Sequence, residues 1–307
     1  MDTLHTQNLY KDIQLRTGGE IYIGVVGPVR TGKSTFIKRF MDLLVLPYIT
    51  DEAEKIRAQD ELPQSSGGKT ITTTEPKFIP KEAAQITLSG DVNVQVRLVD
   101  CVGFMVDGAA GHVENGAAGH MEDEEERLVK TPWFDYEIPF TQAAEIGTKK
   151  VINDHSTIGI VVTTDGSFGE LKRENYIAPE EKTIQELKKL HKPFLVLVNS
   201  ERPYGEEAIH TAAQIQEKYN VTAIPVNCEQ LKRDDINQIM EKVLYEFPVT
   251  MIEFYMPKWV EMLANTHKLK ADLIDKIRTL MDGIDTVKDV INTQVSVDSD
   301  YIKRCIV

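Results

Sequence analysis

The chain has 307 residues, of which 41% are hydrophobic and 27% charged, a composition typical of a soluble globular protein. Its formal net charge of −13 argues against nucleic acid, or an anionic membrane held by bulk charge, as the main partner. The three cysteines, Cys101, Cys228 and Cys305, lack metal-ligand spacing, and the polar, mixed-charge N-terminus is not the pattern expected of a signal peptide. We therefore expect a protein of the reducing cytoplasm whose membrane association, if any, is peripheral.

The predicted elements alternate between strand and helix along most of the chain. Strands are predicted at residues 21–27, 83–89, 93–100, 156–164, 194–199 and 222–227. Helices are predicted from about Lys33 and at 52–59, 140–153, 180–190, 206–219 and 233–246, with loops filling much of 46–80 and 103–128. The Gly90-Asp91 turn favours an antiparallel hairpin, whereas the other strands are continuous apolar runs. This pattern predicts an α/β fold with a mostly parallel sheet and helices on both faces.

The pattern changes after Pro248, where the strand and helix alternation stops. Residues 258–282 carry apolar side chains at helical spacing and predict one long amphipathic helix. We expect its apolar stripe to pack on a neighbouring domain rather than on a membrane. The sequence thus divides into an N-terminal extension at 1–19, a domain at 20–250 and the helical start of a second domain at 251–307.

Residues Gly27–Ser34, GPVRTGKS, match the P-loop pattern G-x-x-x-x-G-K-[ST]. The match lies between a predicted strand and a predicted helix, the context in which such a loop binds phosphate. Backbone N–H groups and the helix N-terminus would wrap the β-phosphate, Lys33 would reach the β- and γ-phosphates, and the Ser34 hydroxyl would bind Mg²⁺. The candidate nucleotide-binding residues here are Gly27, Arg30, Thr31, Gly32, Lys33, Ser34 and Thr35.

A second motif, Asp100-Cys101-Val102-Gly103, ends the second strand of the predicted hairpin. Asp100 would hold Mg²⁺ directly or through a water, and the N–H of Gly103 would contact the γ-phosphate. A P-loop followed by a hairpin and D-x-x-G resembles the translation-factor-related, GTPase-like class of P-loop NTPases. That class carries one antiparallel strand in an otherwise parallel sheet.

The Thr-rich segment KTITTTEP, residues 69–76, occupies the position of the first switch loop of that class. Thr73 and Thr74 are the candidate sensor threonines that would fix the attacking water, with Thr73 also a candidate Mg²⁺ ligand. A Thr-rich edge strand is the alternative reading.

Two departures from the GTPase pattern concern catalysis. Phe104 follows Gly103 where many GTPases place a water-orienting Gln, and Val29 and Arg30 fill loop positions that are often Gly. A phenyl ring cannot orient water by hydrogen bonding. Hydrolysis is therefore expected to be slow or dependent on self-association, with Arg30 either paired to an acid or supplying charge near the γ-phosphate.

A third departure concerns the base. Guanine-selective proteins of this class carry Asn-Lys-x-Asp after the strand that FLVLVN forms here, and the Asp accepts two hydrogen bonds from guanine. This chain has Asn199-Ser200-Glu201-Arg202, and Arg202 offers only donors. The segment argues against GTP and permits ATP. Asn199 is the first candidate for a base contact, with a loop-bracing role as the alternative.

These residues together resemble the stage IV sporulation protein A family of endospore-forming Firmicutes. The resemblance covers most of residues 7–250, including GVVGPVRTGKSTFIKRFMDLLVLP, AQDELPQSSGGKTITTTEPKFIP, RLVDCVGF, TPWFDYEIPF and HSTIGIVVTTDGSFGE. It continues more weakly to about residue 290. By position, Lys33 is the phosphate lysine, Asp100 the Mg²⁺-linked acid, and Thr73 and Thr74 the sensor threonines.

The resemblance implies an ATPase that uses ATP and Mg²⁺ and whose hydrolysis drives self-assembly into a homopolymer, the basement layer of the spore coat. It implies a location in the mother-cell cytoplasm, peripheral to the outer forespore membrane. Its partners would be further copies of itself, stage V sporulation protein M and other coat morphogenetic proteins. Members of the family continue well past 307, so residues 251–307 are expected to be an incomplete middle domain.

Two other functions stay open from the sequence. One is a regulatory GTPase-like switch with an unusual base pocket. The other is a structural coat scaffold whose nucleotide site is vestigial.

Overall fold

Eight strands and ten α-helices occur in the part of the chain that the structure, a computed structural model, describes: residues 2–63, 75–88, 92–107, 128–169 and 171–292. The strands are β1 (Glu20–Val26), β2 (Lys77–Leu88), β3 (Val92–Asp100), β4 (Leu128–Thr131), β5 (Phe134–Pro139), β6 (Ile158–Thr164), β7 (Phe194–Asn199) and β8 (Ala223–Val226). The helices are α1 (Asp2–Thr17), α2 (Lys33–Phe40), α3 (Glu52–Asp60), α4 (Phe140–Asp154), α5 (Arg173–Lys189), α6 (Glu206–Tyr219), α7 (Arg233–Tyr245), α8 (Lys258–Glu261), α9 (Lys268–Met281) and α10 (Val287–Asn292). A π-turn and a 3₁₀-turn extend α2 to Tyr48.

Six strands form one sheet in the order β2-β3-β1-β6-β7-β8. All neighbouring pairs are parallel except β2 and β3, which form an antiparallel hairpin. The predicted α/β class, a mostly parallel sheet with one antiparallel strand, is therefore confirmed. β4 and β5 form a separate two-stranded antiparallel ribbon.

The core follows from the composition of the central strands. Every residue of β6 and β7 is buried, as expected for continuous apolar strands covered by helices on both faces. Helices α2, α4, α5, α6 and α7 each contribute buried side chains. The sheet is thus a buried platform, and its carboxyl edge is where the connecting loops converge.

The strand order brings the two sequence motifs to the same edge of the sheet. β1 lies between β3 and β6, and in the β1–β3 register Val25 is paired with Asp100. The loop that leaves β1 therefore begins beside the end of β3. Such a position, where connections leave a central strand towards opposite sides, is where open parallel sheets bind ligands.

The chain divides into two compact units, Met1–Leu244 and Tyr245–Val307. In the second unit, the backbone on either side of Pro248 is hydrogen-bonded to the segment around Thr286: Val249 N donates to Asp285 O and Val287 N donates to Phe247 O, each at 3.0 Å. None of the helices that the structure describes combines the length and the apolar run needed to cross a bilayer.

The prediction of one long helix at 258–282 is wrong. The structure has two helices there, α8 and α9, separated by turns. His267 caps α9, because its Nδ1 accepts the N–H of Leu269 at 3.3 Å. The ammonium of Lys270 donates to the carbonyls of Glu261 and Leu263 at 2.9 Å each and stabilises the break. The spacing of apolar residues gives no sign of hydrogen bonds from side chains to the backbone. The apolar side chains of α9, which were expected to pack on a neighbouring domain, are not buried.

Three further elements differ from the sequence predictions. Residues 2–17 are helical, and Tyr10 and Ile13 of this helix are buried, with the Tyr10 hydroxyl donating to Asn237 Oδ1 at 2.8 Å. α5 begins at Arg173 rather than at 180, since Pro179 lies inside the helix instead of before it. The loop predicted at 46–80 ends earlier, because β2 begins at Lys77 and continues through a register shift. The ribbon of β4 and β5 was not predicted.

Candidate nucleotide-binding site

Two glycines shape the loop between β1 and α2. Gly27 has φ 133°, and a Cβ there would stand 2.3 Å from the carbonyl oxygen of Val162. Gly32 has φ 97°, and a Cβ there would stand 2.5 Å from Asn199 Nδ2. Neither position accepts a side chain, because the backbone conformation and the space both exclude one. The sequence spacing of these glycines is therefore required by the shape of the loop.

Gly32 also caps helix α2 without a side-chain hydrogen bond. The N–H groups of the first helical turn are consequently left facing the loop, where the helix dipole is positive. This is the arrangement that binds a phosphate group at a helix N-terminus. The residues of that first turn are Lys33, Ser34 and Thr35.

The Lys33 side chain is buried and turns back onto the loop. Its ammonium donates to the carbonyl of Pro28 at 2.5 Å and to that of Gly27 at 3.4 Å. Burial lowers the pKa of Lys33, while the nearby Asp100 opposes that shift. A cation held on two neutral carbonyls is poorly compensated in a buried site, so a phosphate oxygen would be a much better partner.

Asp100 stands at the end of β3 opposite the first turn of α2. The Ser34 hydroxyl donates to Asp100 Oδ2 at 2.8 Å. The other oxygen, Oδ1, is buried, and no donor of the described residues reaches it with good hydrogen-bond geometry, although the backbone N–H of Cys101 lies close enough to favour the charged carboxylate. Burial raises the pKa of this carboxyl, and the bond from Ser34 and the charge of Lys33 oppose the shift. An unsatisfied carboxylate oxygen beside a hydroxyl is a donor set that fits Mg²⁺.

In the described ranges no group of three or more His, Cys, Asp or Glu side chains is placed to hold a metal ion. This agrees with the way proteins usually bind Mg²⁺, through one or two protein ligands together with substrate phosphates. Ser34 and Asp100 are suited to hold Mg²⁺ together with the phosphates of a bound nucleotide.

The segment after Asp100 is docked against the phosphate loop. Gly103 has φ 95°, and a Cβ there would stand 2.0 Å from Gly27 O and 2.8 Å from Lys33 Nζ. The next residue, Phe104, accepts the N–H of Val29 at 3.0 Å through its carbonyl. Its ring is 3% exposed, so this side chain fills space beside the loop and does not orient a water.

An apolar cluster that the sequence did not indicate supports this docking. It joins Val29 of the phosphate loop, Val106 of the segment after Gly103, and Tyr176 of α5, all buried. The Lys182 ammonium lies 5.0 Å from the Phe104 ring and 2.7 Å from Glu145. The segment is therefore held from the side of α4 and α5 as well as from the loop.

Arg30 and Thr31 play different parts in the loop. Arg30 is exposed and has φ 61°, a conformation rare for a residue with a side chain. Thr31 is buried, and its hydroxyl lies 3.0 Å from Pro28 O and 2.7 Å from Val162 O. Thr31 thus fixes the loop to β6, whereas the Arg30 side chain is exposed.

On the base side, Asn199 bonds to backbone in two places. Its Nδ2 donates to Thr31 O at 3.0 Å, and its Oδ1 accepts the N–H of Cys228 at 3.0 Å. These contacts match the loop-bracing alternative, since they tie β7 to the phosphate loop and to the segment after β8. Ser200 is buried and Arg202 is exposed. A base contact by Asn199 stays a prediction.

The two sensor candidates, Thr73 and Thr74, lie outside the described residues. Of the other candidates, the structure brings the P-loop residues, Asp100 and Gly103 together at the carboxyl edge of β1 and β3. Asn199 joins them from β7.

A buried ion pair near this edge was also missed from the sequence. Glu180 of α5 is 1% exposed, and Arg173 binds it with two nitrogens at 2.6 and 2.8 Å. The hydroxyl of Thr163 in β6 donates to Glu180 at 2.6 Å. The separation of seven residues between Arg173 and Glu180 is two helical turns and was the available signal, but the proline between them concealed the helix.

Comparisons with known proteins agree on one family. Residues 4–248 match the family model of the stage IV sporulation protein A ATPase domain, and residues 249–307 match that of its middle domain. The chain is 50% identical to stage IV sporulation protein A of Clostridioides difficile (strain 630), 47% to that of Bacillus subtilis (strain 168) and 45% to that of Bacillus anthracis. Each alignment covers 92% of this chain and 56% of the relative, so the chain spans little more than half the length of these curated relatives.

Solved structures of two SsGBP mutation variants also align with the chain. Their TM-score is 0.38, with 16% and 14% sequence identity, over 78% and 79% of this chain and 62% of theirs.

Proposed function

Since the chain belongs to the stage IV sporulation protein A family and carries its ATPase domain, we propose that it binds ATP with Mg²⁺ and hydrolyses it to ADP and phosphate. The observation that carries this proposal is the unsatisfied Asp100 Oδ1 beside the Ser34 hydroxyl, at the mouth of an intact P-loop. An intact P-loop beside a buried carboxylate and a hydroxyl supplies the donor set that a nucleotide with Mg²⁺ requires, which supports a working site over a vestigial one.

Each residue of the site has a role in this reaction. The N–H groups of the first turn of α2 bind the β-phosphate, and Lys33 exchanges its carbonyl partners for β- and γ-phosphate oxygens. Ser34 and Asp100 hold Mg²⁺, with Thr73 as a further candidate ligand. When bound there, Mg²⁺ neutralises charge on the β- and γ-phosphate oxygens.

The attacking water is positioned by the candidate sensor threonines and not by the residue after Gly103. Phe104 is buried and has no group that could orient a water by hydrogen bonding. The N–H of Gly103 contacts the γ-phosphate, and Thr73 and Thr74 orient the attacking water. No Gln follows Gly103, so turnover is slow or depends on contacts made in an assembly.

The base preference is for adenine. Guanine presents N–H donors at N1 and N2 that require an acceptor, and Arg202 at the corresponding loop position supplies only donors. A buried donor without an acceptor costs about 1–3 kcal/mol, which disfavours GTP without affecting ATP.

The same family membership supports the biological role. We propose that hydrolysis drives self-assembly into the basement layer of the spore coat, at the outer forespore membrane in the mother cell. The proposed partners are further copies of the protein, stage V sporulation protein M and other coat morphogenetic proteins. The relatives are named for sporulation, and this chain corresponds to the part of them that includes the ATPase domain.

Phosphate release and sedimentation, measured with ATP, GTP and a non-hydrolysable ATP analogue, test this function. Lys33→Ala is the site variant, and Lys38→Ala, which removes a lysine from the same helix, is the matched control. The proposal expects ATP hydrolysis and ATP-dependent sedimentation that Lys33→Ala abolishes and Lys38→Ala retains. Faster hydrolysis of GTP would indicate the switch function instead. Unchanged binding and sedimentation in Lys33→Ala would indicate the scaffold.

A further inference from the structure

The loop that follows β7, residues 200–205, occupies the position of the base-reading segment of the GTPase-like class, and most of its N–H groups donate hydrogen bonds. Ser200 N donates to Val226 O at 2.8 Å, Arg202 N to Ser200 Oγ at 3.0 Å and Gly205 N to Arg202 O at 2.8 Å. We call residues 200–205 the base loop. These three bonds lie within the base loop or join it to the adjacent strand β8.

One amide of the base loop has a different kind of partner. Glu201 N donates to the hydroxyl oxygen of Ser167 at 2.9 Å. Ser167 lies in the connection between β6 and α5, 34 residues away. Among the base-loop N–H groups with a described bond, this is the one held by a side chain from another segment; the Asn227 side chain holds a carbonyl of the loop, Glu201 O, at 3.5 Å.

The Ser167 hydroxyl is itself oriented. Its proton is directed to Asp165 Oδ1 at 2.6 Å, and the same oxygen accepts the N–H of Ser167 at 2.9 Å. A hydroxyl whose proton is committed to a carboxylate presents its lone pairs elsewhere and becomes a stronger acceptor. Asp165 therefore points the acceptor of Ser167 at the amide of Glu201.

The turn that carries Ser167 is anchored to the buried ion pair. Arg173, paired with Glu180, also donates to Thr164 O at 3.2 Å. Gly166 has φ 87°, and a Cβ there would stand 2.7 Å from the backbone nitrogen of Arg173. Arg173 thus fixes the start of the turn at 164–167, from which the exposed Ser167 presents its hydroxyl to the base loop.

We propose that Ser167, oriented by Asp165, is a positioning residue for nucleobase selection. It holds the peptide between Ser200 and Glu201, and so places Ser200 and Arg202, the positions at which the guanine-selective pattern carries Lys and Asp. Ser167 acts through the base loop and needs no contact with the nucleotide. This role of Ser167 rests on the proposed ATP binding, because the hydrogen bond from Glu201 N to Ser167 would maintain the preference for ATP over GTP.

The test measures dissociation constants for ATP, GTP and inorganic tripolyphosphate, each with Mg²⁺, for the intact chain and for Ser167→Ala. Releasing the base loop weakens ATP binding and lets Arg202 move away from guanine. The ratio of the GTP constant to the ATP constant is expected to fall by about 3- to 10-fold, the range of one net hydrogen bond. Tripolyphosphate binding is expected to stay unchanged, because the phosphate loop is not involved.

Three variants separate positioning from general structure. Ser167→Thr keeps the hydroxyl and is expected to restore the selectivity ratio, whereas Asp165→Ala is expected to lower it in the same direction as Ser167→Ala. Ser156 precedes β6, and its hydroxyl donates to Ile152 O rather than to the base loop. Ser156→Ala is therefore expected to leave the ratio of the GTP constant to the ATP constant unchanged.

Two outcomes would overturn the inference and leave ATP binding standing: an unchanged ratio in Ser167→Ala, or an equal loss of ATP and tripolyphosphate binding. If the intact chain fails to bind ATP while it binds tripolyphosphate, the proposed function fails instead.

Discussion

The phosphate side and the base side of the site are built in different ways. On the phosphate side, backbone atoms form the site: Gly27, Gly32 and Gly103 approach neighbouring atoms so closely that no Cβ would fit. On the base side, side chains such as Asn199 and Ser167 hold backbone groups by hydrogen bonds. We therefore expect phosphate binding to depend on the backbone shape of the fold, and base preference to depend on a few side chains that can be substituted without altering that shape.

The largest effect is expected on the phosphate side, from Gly27→Ala. The added Cβ would meet Val162 O at 2.3 Å in a backbone conformation that alanine avoids. We expect a loss of about 2–4 kcal/mol in the free energy of unfolding and no detectable ATP binding. Urea unfolding and nucleotide titration measure both.

Gly169→Ala is the matched control for that variant. Gly169 also has a positive φ, 83°, but nothing lies within 4 Å of its Cβ position. Only the conformational cost remains, about 1–2 kcal/mol, and ATP binding should persist. Equal losses in the two variants would show that the close approach to β6 does not matter.

An intermediate effect is expected from Asn199→Ala, because this side chain connects the two sides. Its removal leaves Thr31 O and the N–H of Cys228 without their partner. Leaving such groups unsatisfied predicts a loss of about 2–4 kcal/mol in unfolding free energy, together with weaker binding of ATP and of tripolyphosphate. Calorimetry with both ligands checks this.

Asn227→Ala is the comparison for Asn199→Ala. Asn227 Oδ1 accepts the N–H groups of Glu229 and Gln230 at 3.1 and 3.2 Å, and its Nδ2 donates to Glu201 O of the base loop at 3.5 Å, with no contact to the phosphate loop among its described bonds. Its loss should cost about 1 kcal/mol and leave tripolyphosphate binding intact. If Asn199→Ala reduced ATP binding alone, the base-contact role for Asn199 would replace the bracing role.

The smallest effect is expected on the base side, from Arg202→Asp. An acceptor then stands where the guanine-selective pattern has one, and Arg202 itself is exposed, so stability should barely change. GTP binding is expected to tighten by about 10-fold relative to ATP, the worth of one charged hydrogen bond. Arg202→Ala, which removes the donors without adding an acceptor, should give a smaller shift in competition titrations.

The same contrast explains how much the sequence could predict. The P-loop, Asp100 and the antiparallel hairpin follow from local patterns: glycine spacing, apolar runs and a turn between two strands. Gly103 was placed in the same way. These features depend on residues that are close in the chain, and the structure positions them together.

The contacts of the base side depend on residues far apart in the chain. Asn199 meets Thr31 across 168 residues and Ser167 meets Glu201 across 34. The spacing of apolar residues along the sequence cannot predict a hydrogen bond between a side chain and a distant backbone group. The break between α8 and α9, where Lys270 caps carbonyls, was missed for the same physical reason.

The central claim is that a phosphate site of GTPase-like design is combined with a base side that rejects guanine. Competition between ATP and GTP for the purified chain with Mg²⁺, using tripolyphosphate to define the phosphate contribution, tests it most directly. The account predicts that ATP binds more tightly than GTP and that both bind more tightly than tripolyphosphate. Tighter binding of GTP, or equal binding of all three ligands, would contradict it.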